Sequence, residues 1–427
     1  MGISNSASVF VQIGATRDGL DPYLDCAADR GMQSVLVETP AYLRHRRALS
    51  RRSFDTELAV PEPQESVGVL AALASANVVP TLVLAGFERY VSSAFSVANT
   101  LDTTLRPAGR QSFVPIDKWG QRKAVAAATP EIRQPWFASF PTGTTAVRPS
   151  ASIDFPCVVK PADGGGGLGV FLVDGLVQME LALACLQTMQ NYGGGLFSSM
   201  LVEEFLDGAE FSLQGIVHEG QVLVLTACEK VIVHEEVPGC PDLMGFREVG
   251  HVAVHGTRAA PDLLRLTEAV VAAIGYQQGP FHVDVIRRMG DPTFLEMGFR
   301  LSGGAVVELV RRVTGVQWAD LAFRTYLGEG CPVLPSPVAH RVVGQIEAVD
   351  EWEMASAQVL ENRGAGVEVI RYPTLSASME SPADERAQLD SDLLRHSGGV
   401  GRIVIAGDDL DEVRSRLEGC IGVRKQR

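Results

Sequence analysis

The stretch Phe155-Pro156-Cys157-Val158-Val159-Lys160-Pro161-Ala162-Asp163-Gly164-Gly165-Gly166-Gly167-Leu168-Gly169 decides how this chain is read. A short apolar run rich in β-branched residues delivers Lys160 at its end, and the chain then becomes a loop that is nearly all glycine. Such a loop can bring backbone N–H groups against phosphate oxygens with no side chain in the way, while the lysine adds a point charge for the same anion. The lysine precedes the glycines, so this is not a Gly-x-x-x-x-Gly-Lys-Ser/Thr loop, and no helix follows as a dinucleotide fingerprint requires. Val170 to Val173 instead continue as a second strand-like run. The loop alone fits a plain surface hairpin as well as a lid over a nucleoside triphosphate.

Upstream, Ser8 to Ala15 reads as a strand, Asp21 to Arg30 as a helix and Ser34 to Glu38 as a second strand; Ser66 to Ala76 and Pro80 to Ala85 repeat the unit. This alternation predicts a parallel sheet covered by helices. Gln121 to Ala128 is helical in pattern until Pro130, and residues 129 to 152 are a proline-rich connection. Downstream, a helix from Val177 to Gln190 and a strand from Met200 to Glu204 complete a β-α-β cap. Glu210 to Val233 is strand-like, with a hairpin turn at His218-Glu219-Gly220. Pro261 to Ile274 is an amphipathic helix. Phe281 to Ile286 and Thr293 to Met297 form an antiparallel pair around Met289-Gly290-Asp291-Pro292, so that Asp284 and Glu296 point the same way. From residue 331 the chain becomes short strands with one last helix, Asp409 to Leu417. The resulting division is 1–110, 111–206, 207–330 and 331–427.

At 427 residues the chain exceeds one hydrophobic core. Its formal charge of −14 argues against nucleic acid, because binding a phosphate backbone needs a basic face. The seven cysteines are scattered without a Cys-x-x-Cys pair, which predicts reduced thiols in a cytoplasm and no zinc site. No apolar run reaches the ~20 residues of a membrane span, and no signal peptide is visible.

Magnesium is usually held by one or two carboxylates together with nucleotide phosphates. A hairpin presenting Asp284 and Glu296, with the cationic Arg300 four residues beyond, offers two anionic ligands and one group for a transferring phosphoryl. Taken singly, solvated acids on a surface hairpin explain it better. Lys118, the Lys160-to-Gly169 hairpin, Glu203-Glu204-Phe205-Leu206 with Glu210, and Asp284 with Glu296-Met297-Gly298-Phe299-Arg300 nevertheless occur together in one order. In that order and spacing, residues 110 to 330 resemble the ATP-grasp carboxylate-amine ligase superfamily.

The resemblance implies an α/β and α+β protein of ATP-grasp fold: an N-terminal parallel α/β domain, a β-α-β lid and a C-terminal mixed-sheet domain. It implies that Lys118 and Lys160 hold ATP phosphates, and that Gly164, Gly165, Gly166, Gly167 and Gly169 close over them. Glu203, Glu204 and Leu206 would read adenine and Glu210 the ribose. Asp284 and Glu296 would bind Mg2+, which Mn2+ could replace, and Lys160 and Arg300 would be catalytic. Many members have Glu-x-Asn-x-Arg where this chain has Gly298. A small residue there, His282-Val283-Asp284 and Phe246-Arg247-Glu248-Val249-Gly250-His251 together resemble the L-amino-acid ligases that make dipeptides. On that resemblance Glu248, His251 and Arg300 contact the amino-acid substrate, while Gly303 and Gly304 leave an open wall for the acceptor. The implied partners are small-molecule carboxylate and amine substrates, with no nucleic acid and no membrane; a homodimer is left open. Loading of an amino acid onto a carrier protein or peptide, a carboxylase-type reaction and a non-catalytic nucleotide-binding module remain alternative functions.

Overall fold

Alternating apolar strands and helix-forming runs over the first hundred residues build a parallel sheet in the computed structural model, which describes residues 8–101, 116–141, 153–162, 164, 167–190, 196–237, 240–330, 341–361, 366–372 and 400–420. The elements are β1 (Val9–Ile13), α1 (Pro22–Asp29), β2 (Gln33–Glu38), α2 (Pro40–Ala48), β3 (Thr56–Ala59), α3 (Ser66–Ser75), β4 (Leu82–Ala85) and α4 (Val91–Thr100). The strands lie in the order β3-β2-β1-β4, all parallel. Successive side chains serve opposite faces: Val11, Ile13, Val35 and Val83 join one core, and Phe10, Leu36, Leu82 and Leu84 another.

Sequence periodicity did not show α2. Thr39 caps it by accepting the Tyr42 N–H at 3.2 Å, but its buried side carries His45 and Arg46. Arg46 is tolerated there because it lies 2.9 Å from the equally buried Asp21.

Next come α5 (Lys118–Ala128), β5 (Phe137–Pro141), β6 (Cys157–Pro161), β7 (Phe171–Val173), α6 (Leu176–Thr188) and β8 (Ser199–Glu204). The glycine loop joins β6 to β7 as an antiparallel hairpin, and β8 pairs with the other edge of β6. Met179, Ala182, Leu183 and Leu186 of α6 cover this layer, meeting Val159, Phe171 and Val202.

The rest is organised by hairpins: β9 (Ala209–His218), β10 (Gln221–Val237), β11 (Cys240–His255), α7 (Pro261–Ile274), β12 (Gly279–Arg288) and β13 (Asp291–Gly298). Glu219-Gly220 and Met289-Gly290 form two-residue turns, all four residues having positive φ, the conformation that matches the twist of paired strands. Helices α8 (Val306–Thr314) and α9 (Trp318–Leu327) follow, then β14 (Val342–Ala348), α10 (Glu351–Glu361), β15 (Val367–Arg371), β16 (Gly401–Gly407) and α11 (Leu410–Cys420). The strand path runs β13-β12-β9-β10-β11-β7-β6-β8-β5, and β14 adds to β11 and carries β16 and β15.

Among the described residues every pairing in this large sheet is antiparallel, where a mixed sheet was expected. The reason is local, since β9-β10-β11 and β12-β13 are successive hairpins. Residues beyond 331 also hold α10 besides the expected last helix, and they are tied to the large sheet through β14. The parallel domain docks on α9 through Phe10, Tyr23 and Phe323, whose rings lie 5.0–5.8 Å apart.

Candidate active site

A cavity of about 980 Å³ opens where these layers meet, lined by residues of the parallel domain, the glycine hairpin, the central sheet and the C-terminal strands. Lys160 reaches it from β6. Its ammonium lies 2.5 Å from Glu203 of β8, and the other Glu203 oxygen receives the Arg122 guanidinium. The register explains the pair: Glu203 faces Val158, two residues before Lys160, a diagonal neighbour on one face. Burial alone would raise the Glu203 carboxyl, but the two cations hold it below the ordinary glutamate range. Glu203 therefore holds the Lys160 ammonium in place while Arg122 holds Glu203. Glu204, the next residue, lies at the half-exposed rim of the cavity, 3.3 Å from Arg133. Leu206 lines the cavity, beside Phe205 stacked on Phe246.

Lys118 is the first residue of α5, placed by the Asp117 side chain accepting the Gly120 N–H at 2.8 Å. Its ammonium donates to the Gly164 carbonyl at 2.6 Å and lies 2.7 Å from Glu296. One turn on, the Gln121 amide pairs with both backbone groups of Met297 at 2.8 Å, and Arg122 donates to the Leu295 carbonyl. This helix thus fixes both the lysine and the acidic hairpin. Gln121 and Arg122 drew no attention in the sequence, because on a helix both usually face water. Gly164 and Gly167 line the cavity, whereas Gly169 is packed so closely on α6 that an added Cβ would lie 2.7 Å from Leu186. Gly165 and Gly166 lie outside the described residues.

Asp284 and Glu296 are register partners across β12 and β13, so both carboxylates face the cavity. Ser212 donates to one Asp284 oxygen at 2.7 Å, and Lys230 lies 2.6 Å from the other. The same ammonium lies 2.6 Å from Glu210 and 3.2 Å from Glu248. Burial would lower the Lys230 pKa, yet these three carboxylates carry it well above the ordinary lysine value. Sequence reasoning missed Lys230. Its signal was a lone lysine in the apolar run of β10, two residues from Cys228 and so on the inward side. Glu248 is also 3.2 Å from His251, and Lys230 and His251 together overcome burial to lower its pKa.

Arg300 leaves the end of β13 and lies 2.7 Å from Glu88, which follows β4 in the parallel domain. An added Cβ at Gly303 or Gly304 would meet nothing within 4 Å, so the wall beside Arg300 is open.

Gly298 faces His282 across the hairpin, and an added Cβ there would lie 2.1 Å from the imidazole Cε1. The ring occupies the space an asparagine would use. Gly298→Ala is therefore expected to lower stability by about 1–3 kcal/mol, as overpacking does. Denaturant unfolding should show most of that loss recovered in Gly298→Ala/His282→Ala, and simple addition of the two losses would contradict the contact.

For a divalent cation, the arrangement supplies two oxygen-donor side chains on one face. Among the described residues no group of three or more His, Cys, Asp or Glu is arranged as a metal cage. Two carboxylates completed by phosphates is the pattern magnesium prefers, so the donor set fits it. The described cysteines are free, and no described helix is long and apolar enough to cross a membrane.

A model of the ATP-grasp domain matches residues 153–308. Dapdiamide A synthase of Enterobacter agglomerans is 26% identical over 161 residues, 38% of this chain and 37% of that protein. The L-arginine-specific L-amino acid ligase of Bacillus subtilis is 21% identical over 221 residues, 47% of this chain and 50% of that protein. The chain thus spans half or less of the curated relatives it matches. Among solved structures, an L-amino acid ligase from Bacillus licheniformis superposes with TM-score 0.65 at 16% identity over 98% of both chains. A carboxyaminoimidazole ribonucleotide synthase from Aspergillus clavatus, complexed with ATP, gives 0.65 at 13% identity over 98% of this chain and 99% of that one. These likenesses show the fold.

Proposed function

We propose that this chain, whose residues 153–308 match the ATP-grasp domain, is an ATP-dependent ligase joining the carboxylate of an amino acid to an amine, most simply a second amino acid. The observation that carries the reading is the convergence of Lys118, Lys160, Asp284, Glu296 and Arg300 on one cavity that also holds Glu248 and His251. The named activities of the two curated relatives support it.

In this reading a substrate carboxylate oxygen attacks the γ-phosphorus of ATP, ADP leaves, and an acyl phosphate forms. An amine then attacks the acyl carbon and phosphate departs. Lys118 and Lys160 hold the ATP phosphates, with Glu203 and Arg122 keeping Lys160 in place. Asp284 and Glu296 would hold Mg2+ or Mn2+, which would supply charge neutralisation for the phosphates. Arg300 takes charge developing on the transferred phosphoryl group, where catalysis of this step mostly arises. Residues 163–169 shield the acyl phosphate from water. Glu204 and Leu206 border the adenine, Glu210 the ribose, and Glu248 and His251 the amino-acid substrate. The segments 1–110, 111–206, 207–330 and 331–427 serve as working domains, and free thiols with an ATP-consuming reaction suit the cytoplasm.

The test is a matrix of amino-acid pairs with ATP and Mg2+, read as phosphate release and product mass. Pair-dependent phosphate with a mass equal to the sum of the pair less water is expected; ATP binding without turnover under any pair would defeat the reading. Gly303→Trp should raise KM at least about tenfold for bulky acceptors while small ones still react, since filling a pocket wall costs about 1–3 kcal/mol. Equal effects on all acceptors would remove Gly303 from the acceptor wall.

A further inference from the structure

The acids around the cavity differ in how their charge is spent. Glu88, Glu203, Glu210, Glu248, Asp284 and Glu296 each have a lysine or arginine within 3.2 Å. Glu347 of β14 also lines the cavity, but among the described residues it has no ion-pair partner; the Tyr372 hydroxyl donates to it at 3.4 Å.

Its place follows from register. Gln345 opposes His251 on β11, and its amide donates to the Gly304 carbonyl. Glu347, two residues on, shares that face of β14 and extends it beyond the open glycine wall. Arg402 opposes Glu347 on β16, yet its guanidinium turns away, 3.0 Å from the Gln345 oxygen and 2.6 Å from Glu308. A carboxylate without a cation of its own thus lines the cavity that the open Gly303-Gly304 wall also borders.

We propose that Glu347 receives the ammonium group of the acceptor amine and takes one of its protons as the nitrogen attacks. The ligand class is a primary amine, and the assignment rests on the ligase reading above. One N–H proton passes to the Glu347 carboxylate, freeing the lone pair that forms the C–N bond. The C–O bond to phosphate then breaks, and a second N–H proton leaves with the phosphate. Burial pushes the Glu347 carboxyl up to about 7, close to where a general base works best. Glu248 raises it further, while Arg247, Tyr372 and Arg402 offset part of the rise.

The test uses the full chain and compares an amine acceptor with hydroxylamine, which is largely uncharged near neutral pH and needs no proton removed before attack. Glu347→Gln should lower the ratio of amide to hydroxamate by about 100-fold, and Glu347→Asp should recover part of it. In the unaltered protein the amide rate should rise with pH through about 7 as the carboxyl ionises, a limb that Glu347→Gln should lack. An unchanged ratio, or parallel loss of both products in both variants, overturns the assignment. If the unaltered protein forms amide but the ratio in Glu347→Gln is unchanged, only this inference fails. If it forms neither amide nor hydroxamate with any carboxylate, the ligase reading fails first and takes this inference with it.

Discussion

Replacing Arg300 with alanine is expected to lower amino-acid-dependent phosphate release by about 10³-fold, the scale on which a cation at a transferring phosphoryl acts. The side chain is mostly buried at the end of β13 and fixed by the 2.7 Å contact with Glu88. Arg300→Lys should rescue little, because a point charge does not reproduce a planar fork. The loss should fall on kcat, with ATP affinity measured separately by calorimetry changing far less. A variant that turns over normally would remove Arg300 from the chemistry.

Glu203→Ala should be the most destabilising single change at the site. It leaves Lys160 and Arg122 as buried cations without their shared carboxylate, which costs about 3–5 kcal/mol when a buried pair is broken. Nucleotide affinity should fall too, because Lys160 loses the group that orients it. The sign with pH follows from the lowered Glu203 value. Stability from its ionised form is present above the ordinary glutamate range and lost as pH falls through the depressed native value. The stability gap between the unaltered protein and Glu203→Gln should therefore be widest near neutrality and shrink in acid. Denaturant unfolding across pH measures this, and a gap that widens in acid would contradict the ion-pair account.

Much of this architecture was legible because local rules and tertiary structure agree. Pro261–Ile274 begins at its proline and ends before Gly275, as read. Asp284 and Glu296 face each other through a feature that the turn does not supply: the two-residue turn alone would set Asp284 against Leu295, and a β-bulge at Leu295 brings Glu296 opposite instead. What was not legible depends on partners distant in sequence. Lys230 acquires meaning only when β9, β11 and β12 bring three carboxylates to it. Glu203 gains its ion-pair setting only because Arg122, 81 residues away, shares its carboxylate with Lys160. Gly298 looked like a missing ligand, whereas the structure has His282 in that space. Glu88 and Glu347 reach the cavity from opposite ends of the chain, and no spacing rule joins them to Arg300.

A carboxylate activated by phosphorylation passes one of its oxygens to the phosphate. An amino acid labelled with oxygen-18 in its carboxylate, incubated with ATP, Mg2+ and an acceptor, tests it directly. ADP and one labelled oxygen in each inorganic phosphate released with product are expected. Phosphate free of label, or AMP and pyrophosphate in place of ADP, would contradict it.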